Sequence, residues 1–445
     1  MKRRAVSYPK RVALGFLLLI LLGAGLLCLP IASKSGEATP FLTSLFTATS
    51  ATCVTGLVLV DTYLHWSLFG QLVIITLIQI GGLGFMTLMT AFSVALHRTI
   101  SLRERTLLKE NFNMPDIGGM VRLTKRIVCG TLLVEGVGAV ILSACLIPKF
   151  GIARGVYTGT FLSISAFCNA GFDLLGSEGA FGSLASMGEN PLFLITIALL
   201  ILIGGIGFIV WDDVLKHRHR LRQYRLHSKI ALAVTIGLTA VGTLLFFVLE
   251  RHATGAGMSV SKQVLHAFFD SVTPRTAGFN AVDTAALTPA SQLLSVLFMM
   301  VGGSPGSTAG GMKTVTVAVL VICMFSNLRR RSGYNVFGKR LPKETLVNAL
   351  SVVGVYLTLV VTGIFLVCAV QPELSFMDVV FECVSATSTV GMTTGITRDL
   401  TVLSQCVLIL LMFSGRIGSL SFAMVFMQNK KQEIALSPEE TVGVG

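Results

Sequence analysis

Four short segments of this chain repeat one pattern, and that repeat constrains the fold more than any other feature. They are Thr49–Gly56, Ile164–Gly171, Ser271–Gly278 and Val384–Gly391. Aligned on the final glycine, each carries a phenylalanine ten residues earlier: Phe46, Phe161, Phe268 and Phe381. A serine stands six residues earlier in three of them, as Ser50, Ser165 and Ser385. An apolar residue follows each glycine: Leu57, Phe172, Phe279 and Met392. The glycines recur about every 111 residues, so the chain reads as four units, 1–115, 116–225, 226–340 and 341–445, the last carrying a tail.

The units are built for lipid. Each starts with a long apolar run, near 12–31, 127–147, 229–249 and 347–370. Each has a second, near 68–96, 191–211, 290–325 and 401–427. Charged residues are only 13% of the 445, about half the share found in water-soluble domains. Runs of this length cross ~30 Å of hydrocarbon, where backbone groups must bond within helices. Between the two runs lies a weakly apolar stretch of about a dozen residues: 40–51, 154–166, 262–273 and 375–387. These are too short to cross and read as re-entrant half-helices. Ordinary extracellular loops would not repeat the same Phe and Gly four times at one place in the topology. The expected fold is an all-α integral membrane protein. Four units, each a span, a pore loop and a span, stand in pseudo-four-fold arrangement around one central pore. That makes eight transmembrane helices plus four re-entrant pore helices.

The formal charge is +13. Basic residues concentrate in 1–11, 97–126, 212–229, 326–345 and the tail from Gln428, which are alternate inter-span loops and the two ends. This is the positive-inside pattern, and it places both termini in the cytoplasm. It argues against a nucleic-acid partner. The basic start followed by Val12–Leu29 reads as a first span rather than a leader, because the apolar stretch is long and Pro30-Ile31-Ala32-Ser33 is a poor cleavage site. Nine cysteines show no paired spacing, so neither a disulfide framework nor a zinc site is expected. No HExxH or GxSxG occurs and no intramembrane His, Asp and Glu set looks catalytic, so an enzyme is not expected.

The repeat suits a cation. Each half-helix enters from outside, so its carbonyl end faces the membrane centre and carries partial negative charge. Extended backbone beyond it can aim carbonyls at the axis and replace the water around an ion. Glycine is needed where that backbone visits angles a Cβ forbids. The candidate ion-binding residues are Thr52, Cys53, Val54, Thr55 and Gly56; Cys168, Asn169, Ala170 and Gly171; Arg275, Thr276, Ala277 and Gly278; and Ser388, Thr389, Val390 and Gly391. Their side chains are mixed, which backbone ligation tolerates. Arg275 is unfavourable beside a cation path unless it points away or pairs, and Asp270 is one candidate partner. Glu135 lies in an apolar run, paired within protein or nearer an interface.

A second anomaly lies in the second spans. Gly81-Gly82, Gly204-Gly205 and Gly302-Gly303 occur at similar depth. The third continues through Ser304, Gly306, Gly310 and Gly311 to Lys313, with Pro305 inside it. Each glycine costs a helix about 1 kcal/mol and proline about 3, so a flexible loop is expected across the pore. In the fourth unit Arg416 stands as far past Gly391 as Gly303 past Gly278. An arginine at that depth is a functional residue by default. Arg416 can hold the loop's carbonyls and bar cations, or simply staple a broken helix.

Taken together, these glycine segments, the Gly302–Lys313 loop and Arg416 resemble the Trk/Ktr/HKT superfamily of potassium transporters over nearly the whole chain. With no extra pair of spans before the first unit, the chain is most similar to the bacterial KtrB-type membrane subunit. The resemblance implies potassium uptake across the bacterial cytoplasmic membrane through one pore per subunit, often sodium-assisted. It implies a homodimer on a cytosolic ring of RCK, KtrA-type subunits that bind ATP and ADP, so nucleotide acts only through that partner. It carries the filter glycines onto Gly56, Gly171, Gly278 and Gly391, and the gating loop onto Gly302–Lys313. Plant relatives with serine at the first position prefer sodium, so Gly56 favours potassium. The basic segments 97–126, 212–229 and 326–345 are candidate docking surfaces. The rival reading is an alternating-access secondary transporter of another cation or small solute, but such folds usually have two inverted repeats. A membrane enzyme acting on lipid would need a polar cluster at one interface, and none is visible.

Overall fold

The computed structural model describes residues 8–84, 120–330 and 333–426. Residues 1–7, 85–119, 331–332 and 427–445 lie outside the described residues, and with them much of the basic segments expected there.

One order of elements recurs four times. A long helix comes first: α1 (Tyr8–Leu27), α4 (Met120–Phe150), α8 (Leu226–Glu250) and α12 (Lys343–Val370). All four are long and apolar enough to cross a membrane. A shorter helix follows: α2 (Phe41–Cys53), α5 (Ile152–Cys168), α9 (Val260–Val272) and α13 (Phe376–Ser388). At 1.5 Å per residue these span roughly 20–25 Å, less than the hydrocarbon core. Each leads into its glycine segment. The return helices are α3 (Leu68–Leu83), the pair α6 (Pro191–Gly205) and α7 (Phe208–His217), the pair α10 (Pro289–Met300) and α11 (Thr314–Leu328), and the pair α14 (Val402–Ile417) and α15 (Ser419–Phe426).

The sequence predicts eight transmembrane helices, with the second run of the third unit interrupted by a loop. Among the described residues the second runs of the second, third and fourth units are all broken. α6 and α7 meet at 94°, and α14 bends by 105° into the residues that follow Gly418. Among the described residues, four helices qualify as spans, or six if each bent pair counts as one.

Glycines at matching positions cause the breaks. Gly81, Gly204 and Gly415 lie directly against the carbonyl oxygens of Thr52, Phe167 and Thr387, near the ends of the short helices. A Cβ there would overlap the oxygen, so only glycine allows the return helix to approach. Three residues on, Gly84, Gly207 and Gly418 have φ of 82°, 97° and 94°. L side chains rarely adopt that region, and the helix ends at each of these glycines. The motif is Gly-x-x-Gly. In the third unit Pro305 holds the second glycine's position and a loop replaces the bend.

Packing follows the pattern with one exception. Phe46, Phe161 and Phe381 are buried. In the third unit the buried ring is Phe269, and Phe268 is only partly covered. The fold also has a small non-helical element, a hairpin of β1 (Asn335–Val336) and β2 (Lys339–Arg340) between α11 and α12.

Gly81→Ala, Gly204→Ala and Gly415→Ala should each cost about 1–3 kcal/mol by overpacking. Gly25→Ala and Gly237→Ala, where a Cβ meets nothing within 4 Å, should not lower stability. Thermal unfolding of the purified variants in detergent distinguishes the two groups.

Candidate functional site: a ring of four glycines

The C-terminal ends of α2, α5, α9 and α13 run into four stretches that meet one another. A Cβ on Gly56 would lie 2.6 Å from Ala170 O and 3.2 Å from Gly171 Cα. Gly171 meets Ala277 O and Gly278 Cα in the same way. Gly278 meets Val390 O and Gly391 Cα, and Gly391 meets Thr55 O and Gly56 Cα. The contacts close on themselves in chain order, so the four glycines form a ring of main chain. All four have positive φ, from 71° to 100°. Two residues before each, Val54, Asn169, Thr276 and Thr389 are left-handed as well, although none is glycine. Such backbone is costly for a side-chain-bearing residue and persists only where its surroundings hold it.

What holds it explains the recurrent serine. Ser50 Oγ accepts from Gly56 N at 3.0 Å, and Ser385 Oγ accepts from Gly391 N at 3.1 Å. In the third unit Thr273 donates to Phe279 O at 2.5 Å instead. Ser165 Oγ has no partner among the described residues. The second quadrant is tied differently: the Asn169 amide lies 3.3 Å from Thr276 Oγ1. In the fourth, Tyr356 of α12 and Ser388 share a 2.6 Å hydrogen bond.

Thr52, Cys53, Cys168 and Ser388 end the short helices, and all these segments are buried. Thr55, Ala170, Ala277 and Val390 supply the carbonyls that touch the neighbouring glycine. Arg275 does not join them. Its Nη1 donates to Thr235 O on α8 at 3.1 Å, so it turns outward. The suggested pairing with Asp270 is absent; among the described residues no ion pair involves either. Glu135 faces the second quadrant from behind, where its Oε2 accepts from Gln79 Nε2 at 3.1 Å.

A loop lies against the residues that precede the glycines. A Cβ on Gly302 would lie 3.2 Å from Thr276 Cγ2, and one on Gly311 would lie 3.0 Å from Ser388 O. Gly310 abuts Thr389, and Thr308 Oγ1 donates to Phe167 O at 3.1 Å. Hydrogen bonds from Ser304 N to Gly205 O and from Phe208 N to Gly306 O dock it on the α6–α7 bend, where a Cβ on Gly303 would lie 2.8 Å from Gly205 O. Lys313 Nζ donates to Ala309 O at 2.7 Å and Gly310 O at 3.3 Å, within the loop itself. Arg416 bridges the loop to the first unit: it donates to Thr308 O, Gly81 O and Gly82 O. Arg416 occupies the place that Gly82, Gly205 and Gly303 hold in the other units.

Residues at and after the glycines line a chamber of about 510 Å³ on the other side of the ring. Asp61, Asp173 and Asp283 border it, with Phe181 and Arg398. Burial, reinforced by the Asp61 charge, pushes the Asp173 carboxyl up to about 6, although it accepts a hydrogen bond from Leu175 N. The sequence reading missed this chamber and Thr308. Its residues come from all four units, and although Asp61 and Asp283 both stand five residues past their glycine, Asp173, Phe181 and Arg398 stand at unrelated distances.

Known proteins resemble this chain over nearly its whole length. The profile of the TrkH family, described as cation transport protein, matches residues 16–434. The chain is 39% identical to the potassium/sodium uptake protein NtpJ of Enterococcus hirae, covering 100% of this chain and 98% of that one. It is 38% identical to the Ktr system potassium uptake protein B of Bacillus subtilis, covering 96% and 94%. The crystal structure of the potassium transporter TrkH from Vibrio parahaemolyticus superposes with a TM-score of 0.76 at 17% identity, over 96% of this chain and 86% of that one.

Ser50→Ala and Ser385→Ala should each cost about 1–3 kcal/mol, because a buried glycine N–H loses its acceptor. Ser165→Ala should cost clearly less. Thermal unfolding of the three variants side by side gives the comparison.

Proposed function

This chain belongs to the TrkH family of cation transport proteins, and from that premise we propose that it takes up potassium through the ring of four glycines. The closed ring carries the reading. Four carbonyl-bearing stretches meet around one point, and the carbonyl ends of four short helices aim toward it. That arrangement offers a monovalent cation oxygens in place of water, and helix-end charge of the right sign. The filter comprises the segments Thr52–Gly56, Cys168–Gly171, Arg275–Gly278 and Ser388–Gly391. The chamber receives ions from outside, and the loop Gly302–Lys313 closes the inner side.

Arg416 is the latch of that gate. Its guanidinium joins the loop to the end of α3, so opening the loop breaks its contact at Thr308 O while Gly81 O can keep holding the guanidinium. While it stays, its charge also opposes a cation below the ring. The remaining parts of the reading rest on the family: four units crossing eight times in pseudo-four-fold order, sodium assistance and a homodimer. A cytosolic RCK, KtrA-type ring would supply the response to ATP and ADP. Both termini would lie in the cytoplasm of a bacterial cell.

Rubidium and sodium flux into proteoliposomes tests the assignment. Gly56→Ser should lower the preference for rubidium over sodium by roughly tenfold, which corresponds to about 1.4 kcal/mol. An unchanged ratio with intact flux would remove Gly56 from the filter.

Acid on the chamber side supplies a second test. Asp173 carries its charge above about pH 6 and loses it below. Lowering the pH from 7.5 to 5.5 should therefore reduce uptake at subsaturating potassium, by roughly two- to tenfold, as the chamber's attraction for cations weakens. Asp173→Asn should start low and respond much less to pH.

A further inference from the structure

The segment between α5 and α6 does more than connect them. It belongs to the second unit, yet it is fastened to the other three. Phe181 N donates to Asp61 Oδ2 at 3.0 Å in the first unit. Leu184 N donates to Asn280 O at 3.0 Å in the third, and Asn280 N donates back to Ser183 Oγ at 3.1 Å. In the fourth, the Arg398 guanidinium lies over the Phe181 ring, 4.4 Å from its centroid. Lys149 anchors the segment at its start through an ion pair with Glu178 at 2.7 Å.

Two of its residues are held in an unusual backbone. Phe181 has φ of 60° and Ser183 has φ of 46°, and neither is glycine. Left-handed backbone at a bulky residue points to a constraint imposed from outside the segment. The ties to three other units are that constraint. Their result is to hold a large aromatic side chain, 38% exposed, in the wall of the chamber that borders the four glycines.

Arg398 is equally out of place. It lines a chamber bordered by three aspartates, yet among the described residues it makes no ion pair. Its contact is the face of Phe181. An aromatic face is where an organic cation would otherwise bind. With the guanidinium on it, that face is occupied, and the occupant repels further cations. A small ion can still be drawn in by the carboxylates elsewhere on the wall.

We propose that Phe181 and Arg398 form a sieve on the chamber side of the ring, which admits small inorganic monovalent cations and excludes larger organic ones. The pair acts on specificity before the glycines do. The proposal rests on the transport reading, since it assumes that ions pass from chamber to ring.

The test is block of rubidium uptake by tetraethylammonium added from the chamber side, in potassium-uptake-deficient bacterial cells and in proteoliposomes. The wild type should resist block. Arg398→Gln, which uncovers the aromatic face, and Phe181→Ala, which removes the bulk that narrows the chamber, should each lower the half-blocking concentration by at least about tenfold. Uptake without blocker is measured for each variant, and block is read relative to it. Arg398→Lys, which keeps the charge but stacks less well, should fall between. If Phe181→Ala does not accumulate as folded protein, Phe181→Leu replaces it, with the same expectation. Unchanged block in the Phe181 variants overturns the sieve, even if Arg398→Gln is sensitised, because charge alone would then explain the result. Absence of rubidium uptake by the wild type would instead defeat the transport reading.

Discussion

Everything in this molecule depends on main chain meeting main chain with no side chain between. Gly56, Gly171, Gly278 and Gly391 each touch the next one's backbone, and the space where a Cβ would sit already holds a carbonyl oxygen or a Cα. The same contact recurs one layer out, where Gly81, Gly204 and Gly415 press on the carbonyls of the short helices. Two shells of glycine thus set how closely the four units converge. The apolar packing of Phe46, Phe161, Phe269 and Phe381 fixes the helices around that centre but does not set its diameter.

Close approach creates a second demand. Breaking a helix leaves carbonyls without partners, and in a membrane nothing but protein or enclosed water can satisfy them. The two bends among the described residues, at Gly207 and Gly418, are each made at a glycine of positive φ and kept short. The third unit opens a longer gap, and its backbone must find partners elsewhere. It does so on the α6–α7 bend, at Phe167 O, and through Lys313 and Arg416. Arg416 is therefore placed by the same need that creates the loop.

The sequence revealed the parts of this plan that repeat. Four glycines, four short helices and a glycine-rich interruption were legible because they recur at fixed offsets. The serine six residues ahead was visible as a pattern, and its hydrogen bond to the glycine N–H emerged only in three dimensions. The broken second helices were not legible, because apolar runs such as 191–211 look continuous to any count of hydrophobic residues. What breaks them is one backbone angle at Gly207. The Arg275–Asp270 pairing failed for a related reason. Proximity in sequence suggested Asp270 as a partner, but α9 ends at Val272, and Arg275 lies past that end and reaches α8. Chamber residues such as Asp173, Phe181 and Arg398 carry no common spacing, since each comes from a loop of different length.

The asymmetry among the quadrants follows from building a ring out of one chain. Gly56 and Gly391 are held by serines. The second and third quadrants are held instead through the Asn169–Thr276 contact and Thr273. Those are also quadrants on which the loop rests, at Phe167 O and Thr276. Four identical subunits would have to supply four loops and four arginines to one small space, and these would collide and repel. A single chain with four diverged units can place one loop and one arginine there. In the same way it can carry one strained strap on the other side of the ring. Divergence within the repeat is thus the physical condition for having a ring with distinct devices on its two faces.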